Sequence, residues 1–201
     1  MKRLSLLFAL GAALLLPVPT IYATPTTFEA TLSGATEVPP TGSPGTGEAT
    51  VVLDLVANMM HVDVVFSGLL APTTASHIHC CLPSPEAPGI NVGVATTVPT
   101  FPLFPLGVLS GTYSHDFSLV DAGTYNPAFV TLHGGTIPGA EVALVAGIEA
   151  EETYLNIHTS QFTGGEIRGF LVPVPEPSTP FLLGCGLAGL GGMVWWRHRR
   201  G

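Results

Sequence analysis

In Ser76-His77-Ile78-His79 a single residue separates two imidazoles. Side chains alternate along an extended chain, so both rings fall on the same face of one strand. A third ring is offered by Tyr154-Leu155-Asn156-Ile157-His158-Thr159, where Tyr154, Asn156 and His158 share a face. Neutral imidazole is the commonest metal ligand, and three of them suit copper or zinc with one coordination position left open. The competing reading needs no metal: histidines on inward or edge positions hydrogen-bond backbone carbonyls and pack into a polar network. His115, in Tyr113-Ser114-His115-Asp116, stands in reserve as a further ligand, while His61 and His133 occur singly and rank lower.

Cys80 and Cys81 follow His79 directly and are also held in reserve as ligands. Export favours thiol oxidation. Adjacent Cα atoms across a trans peptide, however, lie about 3.8 Å apart, short of the usual disulfide range of roughly 4.4 to 6.8 Å. Three states stay open: a thiolate beside His79, a vicinal disulfide, or bridges between molecules. Each is expected to keep the pair close to the histidines. Arg168 and Glu166, in Glu166-Ile167-Arg168, share a strand face in extended chain. They can pair with each other or across the sheet, or Arg168 can meet an anion.

Between residues 24 and 174 there are thirteen acidic side chains against Arg168 alone, a formal charge of −12. A domain that binds a polyanion must neutralise phosphates with Lys or Arg, so nucleic acid is excluded as a partner. The acidity reads as solubility and self-repulsion on a secreted surface. No Asp-x-Asp-x-Asp-Gly calcium loop, no Gly-x-Ser-x-Gly elbow and no phosphate-binding glycine loop occurs in the sequence. No catalytic residue is therefore assigned.

The elements that must position these side chains are almost all β. Thr27 to Leu32 alternates, Ala49 to Leu55 is rich in Val and Leu, and Met60 to Phe66 sets Met60, Val62, Val64 and Phe66 on one face. Gly111 to Leu119, Tyr154 to Thr159 and Glu166 to Val172 are further short strands. Gly164-Gly165 reads as a tight turn needing positive φ. Ala140 to Glu152 alone has helical character, and Pro83 to Pro105 reads as long loops with at most one edge strand. Many short strands with Gly/Pro turns predict an all-β domain, an antiparallel Greek-key sandwich or barrel.

The two ends are of another kind. Lys2-Arg3, the apolar Leu4 to Leu16 and Ile21-Tyr22-Ala23 compose a secretory signal peptide over residues 1–23. At the other end Pro175-Glu176-Pro177 precedes an apolar run from Phe181 to Trp196 and then Arg197-His198-Arg199-Arg200. Sixteen apolar residues span about 24 Å as a helix, somewhat less than a hydrocarbon core of roughly 30 Å. The basic cluster should stay cytoplasmic. The order of these parts over residues 174–201 resembles the PEP-CTERM sorting tail of Gram-negative bacteria. That likeness implies an exosortase, a membrane protease, as partner, anchoring in the inner membrane by the tail, and cell-surface or matrix delivery after processing.

Residues 24–173 also carry a recognisable succession: Phe28-Glu29-Ala30-Thr31-Leu32-Ser33-Gly34, Glu37-Val38-Pro39-Pro40, Gly47-Glu48-Ala49, Phe66-Ser67-Gly68-Leu69, Ala75-Ser76-His77-Ile78-His79, Tyr154 to Thr159, and Gly164-Gly165-Glu166-Ile167-Arg168-Gly169. This succession resembles the CHRD domain, named from repeats in chordin, and implies an extracellular β-rich module. A narrower resemblance links Val62 to Leu69 and His77-Ile78-His79 to the strand and His-x-His pair of copper/zinc superoxide dismutases. There His158 would take the place of a later copper ligand, and Arg168 that of an arginine that steers the anion. No bridging histidine, zinc loop or separated cysteine pair accompanies it. The expectation is thus an exported, non-catalytic binding or structural module meeting exopolysaccharide or envelope proteins. The alternative is a copper or zinc protein using His77, His79 and His158.

Overall fold

A computed structural model describes residues 24–175. Residues 1–23, expected to be a signal peptide, and the tail from Glu176 onward, including two of the three sorting-motif residues, lie outside the described residues.

Eight strands form the fold: β1 (Thr26–Ser33), β2 (Thr46–Asp54), β3 (Met59–Ser67), β4 (Thr73–Cys80), β5 (Gly111–Ser118), β6 (Thr153–Thr159), β7 (Ile167–Phe170) and β8 (Val172–Pro173). All pairings are antiparallel, in the order β4-β6-β7-β1-β2-β3-β5, with β8 continuing β7 onto β1. The consecutive strands β1, β2 and β3 with a late strand returning beside β1 give the Greek-key order. The β2–β3 hairpin is closed by Asp54, whose Oδ1 accepts from the amides of Val56 and Ala57, and by Asn58 at φ 54°.

The alternation seen in the sequence becomes the core. Phe28, Ala30 and Leu32 of β1, Val51 and Leu53 of β2, Met60, Val62, Val64 and Phe66 of β3, and Ile78, Leu155, Ile157 and Ile167 of β4, β6 and β7 belong to one buried cluster. Burying each large apolar side chain contributes roughly 1.5–3 kcal/mol. The sheet curls around this cluster, and helix α2 (Ile137–Glu149) adds Ala140, Leu144 and Ile148 to it. That helix starts three residues before the predicted one because Thr136 caps it, accepting from the Gly139 amide, with a proline in the first turn. The short α1 (Pro127–Leu132), capped by Asn126, is not evident from hydrophobic spacing.

The strands divide by what covers their outer face. Outward residues of β1, β2 and β3 are largely exposed or half-buried, whereas β4 is buried continuously from Ser76 to Cys80 and β6 from Thr153 to Ile157. Burial on both faces needs a second cover. It comes from the Pro-rich stretch, which forms no strand and lies across β4 through Cys80 N to Gly93 O, Ala95 N to Ile78 O and Phe101 N to Ser76 O.

Glu166 and Arg168 do not pair with each other. β7 begins only at Ile167, after a turn at Gly165 (φ 127°), so strand alternation does not extend back to Glu166. The Glu166 carboxylate, fully buried, accepts from Ser43 Oγ (2.6 Å), the Leu70 amide (2.6 Å) and Thr159 Oγ1 (2.7 Å) and ties three segments together.

Candidate metal centre

The covered outer face of β4, β6 and β7 carries His77 and His79, then Tyr154, Asn156 and His158, then Arg168 and Phe170. Register fixes these neighbours: His77 stands opposite Asn156, His79 opposite Tyr154, and Asn156 in turn opposite Arg168. The three histidines predicted from spacing are brought together, with one ring nitrogen of each inside a circle where none is more than 4.8 Å from another.

Each ring is held from behind by a backbone carbonyl. His77 Nε2–H donates to Pro99 O (2.6 Å), His79 Nδ1–H to Val92 O (2.8 Å), and His158 Nδ1–H to Thr163 O (2.9 Å). A carbonyl only accepts, so in the neutral ring the hydrogen sits on that nitrogen and the other presents a lone pair. The lone pairs of His77 Nδ1, His79 Nε2 and His158 Nε2 face the common space. His77 Nδ1 and His158 Nε2 are 3.3 Å apart. Nitrogens around a tetrahedral zinc at 2.0–2.1 Å stand about 3.4 Å apart. His79 Nε2 is buried with no hydrogen-bond partner. Burial pushes His77 and His79 down to about 4 and lowers His158 as well, so all three are neutral at neutral pH. Carbonyl-anchored, neutral imidazoles are the usual form of metal-bound histidine.

The surroundings come from three segments. Tyr154 stacks on His79 with centroids 4.7 Å apart, its hydroxyl meeting the Val92 backbone, and the Arg168 guanidinium lies 4.5 Å over the same ring. Arg168 is fully buried and donates to Thr36 O (2.5 Å), Ile90 O (3.2 Å) and Asn91 Oδ1 (2.9 Å). Asn91 donates onward to Val38 O. Arg168 thus ties down the loop that carries Val92, whose carbonyl stands behind His79, and is shielded from solvent. Among the described residues the carboxylate that approaches it is Glu37, 3.9 Å away and itself buried. Burial raises Glu37 to about 7 even though Arg168 pulls the other way.

The reserve ligands are not part of the centre. Cys80 and Cys81 form a disulfide, with Cα atoms 3.0 Å apart across a cis peptide, and lie against α2. Both sulfurs approach Ala143 O, at 3.9 and 3.7 Å, and a Cβ on Gly147 would meet them at 2.5 and 2.8 Å. Alternation turns residue 80 away from residue 79 and toward α2, and the disulfide holds the Cys81 sulfur there with it. His115 lies on β5, at the opposite end of the strand order, against Tyr113 and Phe117. Sequence reasoning did not single out Glu37 or Asn91 as members of this face; Glu37 stood in a recognisable motif, but nothing in the spacing joins it to β6.

The sequence profile of the CHRD domain matches residues 28–171, and that of the PEP-CTERM protein-sorting motif matches residues 173–200. The chain belongs to the CHRD domain family. No curated protein and no solved structure matches it, so the likeness to superoxide dismutases rests on the residues quoted above alone. The sorting motif makes the CHRD protein an exported one, anchored in the membrane by its C-terminal tail, processed by an exosortase and then placed at the surface. Among the described residues no helix is long and apolar enough to cross a membrane.

Proposed function

We propose that the exported CHRD domain, residues 24–173 after removal of the signal peptide, is a metal-binding module of the cell surface. It holds one copper or zinc ion through His77 Nδ1, His79 Nε2 and His158 Nε2. Its role is binding or structural rather than turnover, with exopolysaccharide or envelope proteins as the partners of its surface. One observation carries the reading: two neutral imidazoles meet at 3.3 Å although the only hydrogen of each is already committed to a carbonyl. Two lone pairs in that position repel, and a cation between them turns the repulsion into ligation. A metal-free polar network needs a donor there. Protonating a ring to supply one is opposed by burial of the site. Imidazole donors suit copper and zinc better than calcium or magnesium.

The non-catalytic part of the reading rests on access. His77 and His79 are buried beneath the Pro-rich loop, and only His158 is half-buried. The test is the metal content of the protein recovered from exporting cells, before and after loading with copper or zinc, beside His77→Ala and His158→Ala. About one ion per chain, lost in both variants while the circular dichroism of the fold persists, is the expected result. A wild type that holds no metal through gel filtration contradicts it.

A further inference from the structure

Six buried side-chain polar atoms among the described residues have no hydrogen-bond partner, and four of them lie on this one face: His79 Nε2, Asn156 Oδ1, Glu37 Oε1 and Arg168 Nη2. A buried polar atom left unpaired costs about 1–3 kcal/mol, so four in contiguous positions indicate a shared partner rather than four independent defects. A metal ion accounts for His79 alone.

Of the other three, the two acceptors, Asn156 Oδ1 and Glu37 Oε1, have a specific geometry. Asn156 is the cross-strand neighbour of His77 and lies two residues from His158 on the same face, so its amide borders the space the imidazoles surround. Glu37 reaches Asn156 from the other side. A Cβ built on Gly165 would stand 2.4 Å from Glu37 Oε1 and 2.5 Å from Asn156 Oδ1, which places these two oxygens within about 5 Å of each other. Gly165 has φ 127° and no side chain, so the Glu37 carboxyl and both ends of the Asn156 amide pack close against its backbone, where a Cβ would clash. Both orphans are acceptors, and Asn156 stands beside His77 on the face that carries the imidazoles.

We infer that Glu37 and Asn156 form a seat for a water molecule carried by the metal, the water giving its oxygen to the ion and its two hydrogens to Glu37 Oε1 and Asn156 Oδ1. The inference rests on the three-histidine reading and deepens it: the centre has an organised solvent position, not a closed four-ligand shell. Arg168, 3.9 Å from the other carboxylate oxygen, orients Glu37 rather than touching the water.

The test uses full-length protein loaded with Cu(II), measured for copper per chain and by pulsed electron-nuclear double resonance in H2O and D2O. The wild type should bind one copper and show strongly coupled protons that exchange with D2O. Glu37→Gln, which replaces one acceptor by an amide, should keep its copper but alter the proton couplings, and Asn156→Leu should keep copper and lose part of the exchangeable signal. The two variants approach the water from different segments, so either one that folds decides the matter. Copper-loaded protein without exchangeable protons, or variants with couplings superimposable on the wild type, overturns the inference and leaves the three-histidine site standing. A wild type that takes up no copper overturns both.

Discussion

His77, His79 and His158 differ from surface histidines because each ring is fixed by a carbonyl from a different segment: Pro99, Val92 and Thr163. Grouping these rings was legible from His-x-His alternation and from the face shared with Asn156. Their tautomers were not, because backbone carbonyls of loops leave no mark in residue types. Metal-free protein should show the histidines in its acid stability. The folded rings of His77 and His79 titrate near 4, below the ordinary value of 6.5, so between those limits the unfolded chain binds more protons. Stability is therefore full above about 6.5 and falls as pH drops toward 4. Glu37 works in the opposite sense: raised from 4.5 to about 7, it contributes stability that is full below 4.5 and is lost as pH rises through 7. Urea midpoints measured from pH 4 to 8 should thus show an acid loss that is shallower in His77→Ala and steeper in Glu37→Gln, which removes the opposing Glu37 decline between 4.5 and about 7. Identical profiles in all three proteins would contradict these assignments.

At the level of elements, β1, β2, β3 and β5 lie close to where alternation put them, because one face meets the core and the other meets water. β4 and β6 break that pattern, being buried on both faces, and their cover is a loop whose Pro and Gly content reveals irregularity but not destination. The Cys80–Cys81 pair shows the same limit: proximity in sequence suggested proximity to the histidines, whereas the pleat sends the sulfurs to α2. Gly147 is the residue that permits this contact, since an added methyl would lie 2.5 Å from Cys80 Sγ. Gly147→Ala should destabilise the domain by roughly 1–3 kcal/mol through overpacking, read as a lower urea midpoint with metal stoichiometry unchanged. Arg168→Leu breaks the clamp on Thr36, Ile90 and Asn91 and leaves Glu37 without its cation. It should lower both thermal stability and metal affinity, because the Val92 carbonyl behind His79 belongs to the released loop.

For the molecule as a whole, the charge distribution has a consequence for metal capture. Arg168 is the only Lys or Arg between residues 24 and 175 and it is fully buried, so the described surface carries carboxylates with no exposed Lys or Arg among them. Such a field draws small cations toward the protein and is screened by salt, the Debye length falling from about 10 Å at 0.1 M to about 3 Å at 1 M. Copper or zinc uptake by metal-free protein, followed by stopped flow, should slow as salt rises while the final stoichiometry stays fixed. A rate independent of salt would show that the surface charge serves solubility alone. Export, the sorting tail and this acidic exterior agree with one another, since a module displayed outside the cell is exposed to the ions of the surrounding solution.

X-ray absorption at the metal edge, on protein loaded with one equivalent of zinc or copper, addresses the centre most directly. The spectrum should fit three imidazole nitrogens at about 2.0–2.1 Å with one further light atom, and no bound-metal signal should remain in His158→Ala. A bound ion surrounded by oxygen with no imidazole scattering would place the metal on the acidic surface and contradict the three-histidine centre.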